Sequence, residues 1–123
     1  MAKIAIIDDD PDIVEATTLL LESKGHTVVS AGNVDDGFAL VEEQKPDLII
    51  LDVMMVEPDD GFYLASKLRK KGYQTPIIML TSIGKAIGMN FVSHDKVPVN
   101  EFLEKPISPS ILMDKVAHYL SQQ

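Results

Sequence analysis

Four aspartates stand where apolar runs of this chain stop. Asp8, Asp9 and Asp10 follow the run Ile4 to Ile7, and Asp52 follows Leu48 to Leu51. Carboxylates at the ends of buried strands repel one another when the fold brings them together. Two charges about 5 Å apart at an effective dielectric near 20 do so by about 3 kcal/mol. A fold that converges Asp8, Asp9 and Asp52 must therefore bind a cation there or chemically modify one of them. Thr81 and Lys105 close two further extended segments, so the strand exits carry three acids, a hydroxyl and an ammonium.

The elements that must position these groups alternate between strand and helix. Ile4 to Ile7 is unbroken and apolar, the pattern of a parallel strand buried on both faces. Asp10, Pro11 and Asp12 read as helix cap, first-turn proline and first-turn acid. A helical stripe of Ile13, Ala16, Thr17, Leu20 and Leu21 follows, ended by Gly25. Thr27 to Ala31 predicts a shorter strand. Asn33 caps a second helix through Val34, Phe38 and Val41, which stops before Lys45 and Pro46. Leu48 to Leu51 is the third strand, and Gly61 to Lys70 supports a third helix with Gly72 beyond it. Pro76 opens a strand from Ile77 to Leu80. Phe102 to Glu104 is the final strand, and Ser108 with Pro109 caps a last helix through Ile111, Leu112, Val116 and Leu120. This βα order argues for an α/β fold, a doubly wound parallel sheet of five strands flanked by helices. Ligands of such sheets sit at the carboxyl ends of the strands.

Composition narrows the function classes. With 123 residues the chain predicts one domain over residues 1–123. Its 19 acidic and 11 basic residues give a net charge of −8, the wrong balance for direct nucleic-acid contact. There is no cysteine, which excludes disulfides, thiolate metal sites and cysteine nucleophiles. No apolar stretch has membrane-spanning length and no signal sequence opens the chain, so a cytoplasmic location is expected. His26, His94 and His118 have no ligand spacing, and Phe38, Phe62 and Phe91 read as core or near-core residues.

Four groups of residues together resemble the response-regulator receiver domain, the phosphoacceptor module of two-component signalling. They are Ile7 to Pro11, Leu51 to Met55 with Asp60 and Gly61, Leu80 to Ser82, and Glu104 to Pro106. The resemblance covers essentially the whole chain and implies a flavodoxin-like sheet in the order 2-1-3-4-5. It implies that Asp52 accepts a phosphoryl group from a sensor histidine kinase or phosphotransfer protein. It implies Mg²⁺ as cofactor, held by Asp8, Asp9, Asp52 and the Met54 backbone carbonyl. Lys105 and Thr81 would contact the phosphoryl oxygens, the Ser82 backbone N–H would be a further donor, and Thr81 with Phe102 would form the switch. Catalysis would be confined to self-catalysed phosphotransfer and autodephosphorylation, and an output protein of unknown identity would read the state.

Two features depart from the family pattern. The proline after Met55 is displaced to Pro58, and the loop from Asp52 to Gly61 is longer by one residue. The stretch from Ile83 to Asn100 carries Gly84, Gly88 and Pro98 without a sustained apolar stripe, so the helix after the fourth strand is expected to be atypical or short. Glu57, Asp59 and Asp60 read as a solvated loop face. The alternative function is a receiver-like interaction module that works without phosphorylation. A dehalogenase-type phosphatase would place an acid where Met54 stands, and a flavin phosphate would be repelled by Asp8 to Asp10.

Overall fold

The computed structural model describes residues 2–57, 59–81 and 99–121. Five strands are β1 (Lys3–Ile7), β2 (Thr27–Ala31), β3 (Leu48–Asp52), β4 (Ile77–Thr81) and β5 (Glu101–Glu104). They pair in parallel in the order β2-β1-β3-β4-β5. Among the described residues the helices are α1 (Pro11–Glu22), α2 (Val34–Gln44), α3 (Asp60–Lys70) and α4 (Pro109–Leu120). The flavodoxin-like order and the doubly wound class are as the resemblance implied. The helix expected between β4 and β5, with Ser82, Gly84, Gly88, Phe91, His94 and Pro98, lies outside the described residues.

Alternation along the central strands builds two cores. Ala5, Ile7, Ile49, Leu51, Ile77 and Met79 face Val41 of α2 and Leu64 and Leu68 of α3. Ile4, Ile6, Leu48, Ile50, Ile78 and Leu80 face Leu21 of α1 and Leu112 and Val116 of α4. Because β1, β3 and β4 are covered on both faces, their sequences are continuous apolar runs. β2 and β5 lie at the sheet edges and are only half-buried.

Local signals set the helix ends. The Asp10 side chain accepts the backbone N–H bonds of Asp12 and Ile13, and Asn33 accepts that of Asp36. α2 stops at Lys45, which takes a left-handed conformation (φ 47°) before Pro46. One expectation fails on α1: Ala16 is exposed, and the buried positions are Thr17 and Leu21, with Val14 packed beside them. Positions 14, 17 and 21 share a helix face, while residue 16 is turned about 100° from Thr17. The third helix begins at Asp60 instead of Gly61, and β5 begins at Glu101 instead of Phe102.

Candidate functional site

Each site residue is delivered by a strand exit at the carboxyl edge of the sheet. Asp8 follows β1, and its backbone N–H bonds the Ala31 carbonyl at 3.0 Å, which ties that exit to β2. Asp52 is the last residue of β3 and Thr81 the last of β4. Lys105 follows β5, its backbone N–H bonding the Thr81 carbonyl at 2.8 Å, and its peptide bond to Pro106 is cis. The register partners Asp52 with Leu80 and Thr81 with Glu104, so the exits are level.

The Lys105 ammonium bridges two carboxylates. Its Nζ donates to Asp8 Oδ2 at 3.2 Å and to Asp52 Oδ1 at 3.2 Å. The Asp8 and Asp52 side chains are 1% and 6% exposed, so this is a nearly buried triad. The other Asp8 oxygen accepts the Asp10 backbone N–H at 2.9 Å. Asp10 is thus a helix cap and a support for Asp8. Asp9 is exposed at the rim, and carboxylate oxygens of Asp8, Asp9 and Asp52 all lie within 4.8 Å of one another. Three hard oxygen donors this close, one open to solvent, suit a small divalent cation that retains several waters. This acidic cluster could hold one.

The charge balance is uneven. Burial, and then the charge of Asp8, push the Asp52 carboxyl up to about 6, while Lys105 and the Met54 backbone N–H oppose the rise. For Lys105 burial works toward a lower value, but Asp8 and Asp52 outweigh it and raise the ammonium above its usual range. Lys105 therefore stays cationic near neutral pH, and Asp52 titrates just below it.

This shift has a testable sign. The native state holds the Asp52 proton more tightly than the unfolded chain does. The resulting stabilisation is complete below pH 3.8 and is lost as the pH rises through about 6. In metal-free buffer, the urea midpoint of the unaltered chain minus that of Asp52→Asn is expected to fall across this window and to be level above it. A difference independent of pH would contradict the burial argument.

Of the expected site residues, Asp8, Asp9, Asp52 and Lys105 are brought together in one pocket, with Thr81 half-buried at its edge. Met54 lies beside Asp52 and is 41% exposed. Phe102 packs against the α2/α3 core, its ring centroid 6.1 Å from that of Phe62. The loop acid Asp60 is more than solvated: its carboxylate accepts the Glu57 backbone N–H at 2.9 Å and closes the lengthened loop. His26 Nδ1 accepts the Ala2 N–H, and His118 packs edge-on against Tyr119, in keeping with packing roles. In the sequence Gly61 stands out only as part of a motif. A Cβ there would run into the Asp52 carbonyl oxygen and lie 2.7 Å from Val53 Cα, and the Gly61 N–H bonds the Val53 carbonyl at 2.7 Å. Its position eight residues after Val53 was the available signal.

Known proteins resemble this chain in sequence and fold. A family model described as response regulator receiver domain matches residues 4–117. The transcriptional regulatory protein AfsQ1 of Streptomyces coelicolor is 35% identical over 91% of this chain and 48% of its own length. The alkaline phosphatase synthesis transcriptional regulatory protein PhoP of Bacillus subtilis is 33% identical over 87% of this chain and 43% of its own length. The chain thus spans under half the length of these two relatives. Protein PilH of Pseudomonas aeruginosa is 30% identical over 94% of this chain and 95% of its own. Among solved structures, the Francisella response regulator 1452 receiver domain superposes with a TM-score of 0.88 at 26% identity, covering 99% of this chain and 98% of that one. The BeF3-activated N-terminal receiver domain of Klebsiella pneumoniae RstA gives 0.84 at 28% identity, covering 96% and 97%. Fold, strand-end chemistry and sequence all agree, and the chain belongs to the response regulator receiver domain family of two-component systems.

Proposed function

We propose that the domain is a phosphoacceptor switch whose acceptor is Asp52, with a histidine kinase or phosphotransfer protein as donor. The observation that carries this reading is the buried Asp52 carboxylate, paired to Lys105 at 3.2 Å beside two further acids. A side chain pushed up to about 6 is mostly ionised at neutral pH and remains a competent nucleophile. One Asp52 oxygen attacks the phosphorus of a phosphohistidine, the P–N bond breaks, and its electron pair returns to the imidazole. Lys105 stands on the same side and stabilises charge on the phosphoryl oxygens. Thr81 supplies a hydroxyl from the adjacent strand end, and Phe102, on the neighbouring strand, follows its movement. Asp8, Asp9, Asp52 and the Met54 carbonyl would hold Mg²⁺, which when bound offsets the carboxylate repulsion and the charge of the incoming group. The chain's catalysis is limited to its own phosphorylation and dephosphorylation, and its output is a conformational signal to a partner protein in the cytoplasm. Among the described residues no helix is long and apolar enough to cross a membrane. An interaction module that worked without phosphorylation would have no use for a buried acid pair held by one ammonium.

Intact mass measurement after incubation with acetyl phosphate and Mg²⁺ tests the reading; one added phosphoryl group is expected, and none would overturn it. Metal dependence should centre on the exposed acid. Asp9→Ala is expected to leave the domain folded, because removing one of three clustered charges relieves repulsion. It should also slow phosphorylation at limiting Mg²⁺ by about a hundredfold. Wild-type rates in that variant at limiting Mg²⁺ would rule out Asp9 as a ligand.

A further inference from the structure

Lys105 reaches the pocket on an edge strand of four residues that, among the described residues, pairs only with β4. No hairpin sets the register of that pair, because parallel strands need a long crossover. A slip of one residue would exchange Phe102, packed on the α2/α3 face, with Leu103, packed on the α1/α4 face. A slip of two residues would keep both faces and carry Lys105 about 6.6 Å along the strand, out of reach of Asp8 and Asp52. The apolar pattern opposes both errors, but in so short a strand only through Phe102 and Leu103, whose places opposite Met79 and Leu80 the second slip would give to Glu104 and Lys105.

Asn100 distinguishes these registers from the far end of β5. Its backbone N–H donates to the Ile77 carbonyl at 2.9 Å, and its Oδ1 accepts the Ile77 N–H at 2.9 Å, closing a ring with one residue of β4. The same Oδ1 accepts from Arg69 Nη2 at 3.2 Å. Arg69 is itself held at the end of α3, its Nη1 donating to the Tyr73 and Thr75 carbonyls at 2.9 and 2.8 Å. The Tyr119 hydroxyl of α4 shares its one proton between the Asn100 carbonyl at 2.9 Å and Glu101 Oε1 at 2.8 Å. One residue thus engages α3, β4 and α4. A register shifted by two residues would put Phe102 opposite Ile77, and an apolar ring cannot accept the Ile77 N–H or the Arg69 Nη2.

We propose that Asn100 is a positioning residue for Lys105, selecting the β5 register that sets the ammonium between Asp8 and Asp52. The phosphorylation arm of the test rests on Asp52 being the acceptor; the structural arm does not. In metal-free protein, β4–β5 backbone NOEs and the ¹⁵N-correlated Lys105 ammonium signal are compared for the unaltered chain, Asn100→Ala and Asn100→Asp. Acetyl phosphate phosphorylation rates are measured for the same set with and without Lys105→Ala. Asn100→Ala is expected to lose the ammonium signal and to slow phosphorylation about tenfold, an effect that disappears in the Lys105→Ala background. Asn100→Asp keeps an acceptor for Ile77 and Arg69 and should restore both. An unchanged ammonium signal in Asn100→Ala, or an equal rate loss in both backgrounds, overturns the proposal. If the unaltered chain takes no phosphoryl group, the acceptor reading fails while the ammonium signal still decides the role of Asn100. Should Asn100→Ala not fold, Asn100→Ser, which withdraws the oxygen without removing it, is judged by the same signal.

Discussion

An Asp52→Asn variant incubated with acetyl phosphate and Mg²⁺ is expected to take up no phosphoryl group, whereas the unaltered chain takes up one. Asparagine keeps the shape of the side chain and an oxygen for the Lys105 ammonium, now 3.2 Å from Asp52 Oδ1. It lacks the anionic oxygen that attacks phosphorus. Lys105 retains Asp8 at 3.2 Å, so the pocket keeps a compensated ion pair and the domain stays folded. Intact mass and hydroxylamine sensitivity read the result. Persistent hydroxylamine-sensitive phosphorylation of the variant would mean that another carboxylate is the acceptor.

The second large effect is expected at Gly61. Its new Cβ in Gly61→Ala would collide with the Asp52 carbonyl oxygen and approach Val53 Cα to 2.7 Å. Both are backbone atoms and cannot rotate aside. Either the first turn of α3 lifts off the sheet or the end of β3 gives way, and in each case Asp52 moves relative to Lys105. Overpacking of this kind costs about 1–3 kcal/mol, and the misplaced nucleophile should slow phosphorylation by at least about tenfold. Gly37 provides the comparison. A Cβ there meets Ile7 Cγ2 at 2.9 Å and Leu64 Cδ2 at 3.1 Å, side-chain atoms with room to adjust. Gly37→Ala should therefore cost less in urea denaturation and leave the phosphorylation rate nearly unchanged. Equal behaviour of the two variants would refute the backbone argument.

What could be read from the residues followed burial. Ile4 to Ile7, Leu48 to Leu51 and Ile77 to Leu80 were legible because strands covered on both faces have no polar positions to blur them. Asp10 with Pro11 marked the start of α1, and a side-chain cap is what the structure places there. The edge strand β5 was legible only in part, since Glu101 belongs to it while half exposed. The start of α3 was obscured because Asp59 makes no side-chain cap bond. Strand order came from the resemblance, not from periodicity, because alternation says which faces are buried and nothing about neighbours. Asp8, Asp9, Asp52 and Lys105 were found as strand ends of unusual charge. Arg69 and Asn100 were not, since a polar contact spanning 31 residues leaves no period in the sequence.

The Lys105 bridge spans 97 residues to Asp8 and 53 to Asp52. Synthesis runs from the amino end, so both acids leave the ribosome long before the cation that reconciles them. A nascent chain that has reached the end of β3 already carries all three acids of the pocket and lacks the cation that bridges two of them. Only when β5 docks does the pocket acquire its counter-charge. Electrical completion of the pocket therefore requires the last strand of the sheet to be in place.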